Sequence, residues 1–196
     1  GGAGATRAPS DVDAAVGAPH AFAVAAVERL VARHHLHDVP VDGAPDAQPG
    51  AAFARAQQSF NDTQRRLHAS LAGASPFSAL ARSAALSEDE AEVLAVLVGC
   101  ETDERLQKLL AHVHSESHRA RIELGTLMAL FDEPHPRALT VADSSGLRRA
   151  ALVVVREAGP WSRHTVELAS SVIGALLGDT ATEAAVPYGA RIIDEP

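Results

Sequence analysis

Residues 86–131, "LSEDEAEVLAVLVGCETDERLQKLLAHVHSESHRARIELGTLMALF", contain no proline and hold three apolar periodicities in succession. Apolar side chains at i, i+3, i+4 and i+7 line one face of an α-helix, so three such faces in a row predict a compact helical block. Ser87 and Glu90 have the spacing of a capping box, in which each side chain satisfies an orphan backbone N–H at a helix start. Val93, Leu94, Leu97 and Val98 supply the first buried face, and Gly99 is its expected stop. Leu106, Leu109, Leu110 and Val113 supply the second face, and Leu124, Leu127, Met128 and Phe131 the third. "DEPHP" ends the third helix, because proline has no N–H to donate and restricts the residue before it.

Outside this block the pattern changes. Residues 1–19 are rich in Gly, Ala, Pro and Asp and read as a flexible leader, with too little bulky apolar surface to offset ordering entropy. "AFAVAAVERLVARHHLHD" then places Ala23, Ala26, Val27 and Leu30 on one helical face, and "VPVDGAPDAQPG" breaks the chain. A second helix is expected from Ala51 to Leu71, with Phe53, Phe60 and Leu67 a heptad apart, so residues 20–74 read as a helical hairpin. Downstream, "ALVVVRE", the turn "AGP" and "WSRHTVEL" read as a β-hairpin, and "ASSVIGALL" as a last helix closed at Gly178, with residues 180–196 a linker or tail. The expected fold class is mainly α with a small β-hairpin. Helix, helix, helix, hairpin, helix is the order of a winged-helix-like domain, here over residues 75–179, with the third helix where a DNA-binding relative carries its recognition helix.

Charge narrows the partners. A net charge of −8 and a pI near 5.6 repel phosphate backbones and anionic membranes. Residues 115–170 carry Arg119, Arg121, Arg137, Arg148, Arg149, Arg156 and Arg163 against Glu116, Glu123, Asp132, Glu133, Asp143, Glu157 and Glu167, which leaves no net basic face for a duplex. Cys100 is the only cysteine, so a disulfide within one chain is impossible and a reducing compartment fits. With no signal-like start and no long apolar run, the expected location is cytoplasmic.

"LSEDEAEVLAVLVGCETDERLQKLLAHVHSES", "ARIELGTLMALF", "SSGLRRAALVVV" and "VELASSVIGALLGD" together resemble the winged-helix region that precedes the ATPase module in a group of bacterial AAA+ ATPases. That group includes ATPases encoded with phage-tail-like contractile injection systems. The resemblance covers roughly residues 76–179 and rests on the Leu-Ser-x-x-Glu helix entry, Glu101 after the helix, the "Leu-Arg-Arg" start to the hairpin and the terminal "Leu-Leu-Gly". The third helix departs from it, with "RARIEL" where that group has Arg-Pro-Thr.

The resemblance implies a non-catalytic module that recruits substrates or adaptors, joined to an ATPase module of the same parent chain that assembles as a hexameric ring. ATP and Mg²⁺ would belong to that module. The G-x-x-x-x-G-K-[ST] loop that cradles phosphates is absent from these residues, so no cofactor is expected here, and Arg191 to Glu195 only mimic a Mg²⁺-side carboxylate strand. The alternative reading is a winged-helix DNA-binding regulator.

The remaining chemistry-bearing residues have plainer explanations. His34, His35 and His37, with His112, His114 and His118, could suit Zn²⁺ or Cu²⁺, but polar-face histidines account for both groups and no metal site is expected. Cys100 beside Glu101 makes a poor thiolate, so a Cys100–His112 nucleophile pair gives way to a structural cysteine. Trp161 is expected to pack the hairpin onto the helices, with partner contact as its second role. No catalytic residue is assigned. The expected interaction surface is Arg119, Arg121, Arg148, Arg149, Trp161 and Arg163.

Overall fold

The computed structural model describes residues 9–37, 48–114, 122–131, 139–157 and 159–176. Two long helices come first, α1 (Pro9–His37) and α2 (Gln48–Ser70), packed along each other. Ala23, Ala26, Val27 and Leu30 are all buried, and Phe22 meets Phe60 with ring centroids 5.2 Å apart. The start of α1 at Pro9 carries helix into the stretch read as a leader, where alanine favours helix and proline suits a first turn.

A short helix that periodicity does not reveal follows, α3 (Pro76–Ser83). Ser75 caps it by accepting the Ser78 N–H, and Pro76 occupies the first turn, where a missing N–H costs nothing. The central helix α4 (Glu88–Thr102) opens on the expected capping box. The Glu90 N–H donates to Ser87 Oγ at 3.2 Å and the Ser87 N–H to Glu90 Oε2 at 2.8 Å.

Gly99 does not stop this helix, which continues to Thr102. A Cβ at Gly99 would lie 2.4 Å from the Ala23 Cβ, so the glycine permits the close crossing of α1 over α4. The turn comes at Asp103, which joins α4 to α5 (Glu104–His114). Its N–H donates to the Gly99 carbonyl, its Oδ1 accepts the Arg105 N–H at 2.8 Å, and its Oδ2 lies 3.0 Å from His20 Nε2 on α1. Burial works against the Asp103 carboxylate, but the Arg105 N–H and His20 outweigh it and hold the group below the usual carboxylate range.

The third apolar face is buried as expected at Leu124, Leu127, Met128 and Phe131, yet the helix beneath it, α6 (Leu124–Ala129), is only six residues long. A two-residue strand precedes it, β1 (Ile122–Glu123), too short to register in any periodicity. A one-turn helix, α7 (Gly146–Arg149), leads into β2 (Val153–Arg156), so "Leu-Arg-Arg" belongs to a helix and not to the start of the hairpin. A 3₁₀ turn (Trp161–Arg163), β3 (Thr165–Leu168) and α8 (Ser170–Leu176) complete the described chain.

The sheet is antiparallel in the order β1-β3-β2, with Ile122 opposite Val166 and Val155 opposite the same valine from the other side. One continuous core runs from Phe22 and Phe60 through residues 91–100 of α4 to Leu127, Val153, Val166 and Leu176, so the α1–α2 hairpin packs on the rest of the protein. Among the described residues no helix is long and apolar enough to cross a membrane.

Candidate functional site

The β2–β3 hairpin turns one face inward. Val153 and Val166 are buried, while Val154 on the opposite face is 44% exposed. On that outer face Arg156 Nε reaches Glu167 Oε2 at 2.8 Å across the ladder, and this bond pushes the guanidinium pKa upward. Gly159 turns the chain with φ +65°, a conformation that suits glycine. Trp161 follows in the 3₁₀ turn and is 52% exposed. The turn itself lies against α6, as a residue joining hairpin to helices would require, but it leaves the Trp161 side chain half exposed at the end of the wing instead of buried between them.

The turn of the wing is held by α6. The Leu124 N–H donates to the His164 carbonyl at 2.8 Å, and a Cβ at Gly125 would lie 3.1 Å from the Ser162 carbonyl oxygen. Arg163 Nε sits 3.6 Å from Glu123 Oε1. Beside it α7 begins at Ser145, whose hydroxyl accepts the Arg148 N–H, while Glu90 Oε1 accepts the Gly146 N–H at 2.6 Å. One carboxylate thus caps both α4 and α7 across 56 residues of sequence.

Of the expected surface residues, Arg148, Arg149, Trp161 and Arg163 lie on α7 and the wing turn, while Arg119 and Arg121 lie outside the described residues. The described arginines here are largely engaged. Arg148 pairs with Asp143 at 2.7 Å, Arg156 with Glu167 and Arg163 with Glu123, which leaves Arg149 exposed with no ion pair among the described residues. Val154 was not anticipated as a surface residue, because a run of three valines hides which one faces outward until the register is known.

The other described chemistry-bearing residues lie apart from the wing. His35 brings the two histidine groups together, with its ring centroid 6.4 Å from that of His34 and 6.2 Å from that of His112. No described group of three or more His, Cys, Asp or Glu side chains is placed to hold a metal ion, and His118 and the Arg191–Glu195 stretch lie outside the described residues. Cys100 is buried, and desolvation, then Asp103 and Glu101, push its thiol up to about 12. A cleft of about 230 Å³ between α1, α2 and α5, walled by Val31, Ala32, Ala52 and Leu109, is smaller than usual small-molecule sites of about 300–1,000 Å³. Glu92, fully buried on α4, was not singled out by sequence; its Oε1 accepts from Gln64 at 2.8 Å and lies 2.7 Å from His68 Nε2, a tie between α4 and α2.

A β1-β3-β2 sheet, a helix after the first strand and an extended turn between the other two define a winged-helix domain. Comparison with known families agrees. The chain belongs to the family described as winged helix domain, variant, whose model matches residues 23–188. That span takes in most of α1 and all of α2. Neither a curated protein nor a solved structure matches the chain.

Proposed function

We propose that the chain is a non-catalytic interaction module of an AAA+ ATPase, recruiting protein substrates or adaptors to the motor through the wing and α7. The observation that carries this reading is an exposed Trp161 at the tip of a wing whose arginines are matched by carboxylates. An aromatic on a charge-balanced surface suits a protein partner, since tryptophan is enriched at the anchor points of protein interfaces. Phosphate binding favours the opposite arrangement, a surplus of free cations. The helix preceding β2, only four residues and about 6 Å long, also offers little to a major groove.

Two measurements test the proposal. The reading frame continuing past Pro196 is expected to encode a G-x-x-x-x-G-K-[ST] loop, and a frame that closes without one overturns the link to a motor. Fluorescence anisotropy with mixed-sequence duplex DNA at low salt is expected to detect no submicromolar binding. Clear submicromolar binding would instead favour the DNA-binding regulator.

A further inference from the structure

We infer that α6 is a strut through which the α1–α2 hairpin sets the position of the wing, so that whatever disturbs the hairpin also moves Trp161. The inference deepens the reading of the wing as a docking surface, by naming what would regulate it.

The two ends of α6 are gripped by different parts of the protein. The last carbonyls of any helix lack partners within it and carry the negative end of its dipole. Here α1 supplies cations to both: Arg29 Nη2 donates to the Leu130 carbonyl and Arg33 Nη1 to the Ala129 carbonyl at 3.2 Å. Arg29 is itself fixed by α2. Its Nη1 donates to Gln57 Oε1 at 3.2 Å, and its guanidinium carbon lies 3.7 Å from the centre of the Phe60 ring.

Arg29 is only 1% exposed. Burying a guanidinium is costly, and an apolar residue of similar volume often leaves a fold as stable or more so. Filling space therefore does not explain an arginine at this position, whereas holding two oriented acceptors does.

The other end of α6 holds the wing, through the Leu124 N–H on the His164 carbonyl, Gly125 against Ser162, and β1 paired with β3. Between the grips, six residues make a segment about 9 Å long, with Leu124, Thr126, Leu127 and Met128 buried. A segment this short in a close-packed core cannot slide or bend without repacking its neighbours, so it moves as a unit.

The test uses Arg29→Met, which keeps volume and removes the grip, and Arg33→Ala, which removes the more exposed contact. Trp161 is the only tryptophan, so acrylamide quenching reads the wing tip directly. Both variants are expected to change Trp161 quenching. Amide exchange at Leu124 and along β3 is expected to accelerate at least about tenfold in Arg29→Met and by less in Arg33→Ala, while α3 amides such as Ala79 keep their rates. Unchanged Trp161 quenching and β3 exchange, with faster exchange confined to Leu130 and the end of α6, would overturn the strut. Should Arg29→Met fail to fold, Arg33→Ala carries the same two outcomes. No partner enters the measurement, so failure of the docking proposal would leave this result standing.

Discussion

Cys100 illustrates how a single residue's environment decides its chemistry. Its thiol lies within the α4 core beside Asp103 and Glu101, so both desolvation and negative charge disfavour the thiolate, and its pKa stands at about 12. In the unfolded chain the thiol titrates near the ordinary value, about 8.5. Below that pH neither state ionises, so the neutral thiol costs the fold nothing. As pH rises from there toward 12 only the unfolded chain ionises, and stability falls. Iodoacetamide at pH 8 is therefore expected to leave Cys100 unmodified in the native protein and to label it once urea passes the unfolding midpoint. Rapid stoichiometric labelling of the folded protein would contradict this burial.

At the scale of elements, helix ends carry much of the specification. α3 and α7 close in the same way. After α3 the Ala85 N–H donates to the Arg82 carbonyl at 3.0 Å and the Leu86 N–H to the Ala81 carbonyl at 2.9 Å. After α7 the Ala151 and Leu152 N–H groups repeat the pattern on Arg148 and Leu147. Both are Schellman motifs with alanine at the left-handed position, φ 50° at Ala85 and 52° at Ala151, where glycine avoids a steric cost of about 1–2 kcal/mol. Part of that gain is offset by glycine's greater freedom in the unfolded chain. Ala85→Gly is expected to raise stability by about 0.5–1 kcal/mol in urea denaturation. A clear loss of stability would mean that the Ala85 methyl group does more for packing than its strain costs.

For the whole molecule, the decisive fact is that hairpin and winged helix share a core. Gly99 against Ala23, Asp103 beside His20, Arg29 on the Leu130 carbonyl and Glu92 beneath His68 each tie α1 or α2 to the later elements. A protein built this way should unfold as one unit. Urea unfolding followed by Trp161 fluorescence, which reports the wing, is expected to coincide with far-ultraviolet circular dichroism, which reports mainly the long helices. Separate midpoints would show that α1 and α2 form an independent unit. A single unit also suits the proposed recruiting role, because a surface held rigid before binding loses little freedom when a partner docks.

What the sequence alone determined was local. The capping box at Ser87, the buried faces of α1, α2, α4 and α5 and the two strands of the hairpin were all legible, because each depends on residues within a turn or two of one another. The tertiary structure decided the rest. Periodicity did not reveal the strand that pairs Ile122 with Val166 just ahead of the third helix, and it made Gly99 a stop when Ala23 was the reason for a glycine. The exposure of Trp161 and the pairing of the wing arginines were invisible for the same cause. These features arise where residues far apart in the chain meet, as Arg29 meets the Leu130 carbonyl across 101 positions, and no local pattern encodes such a meeting.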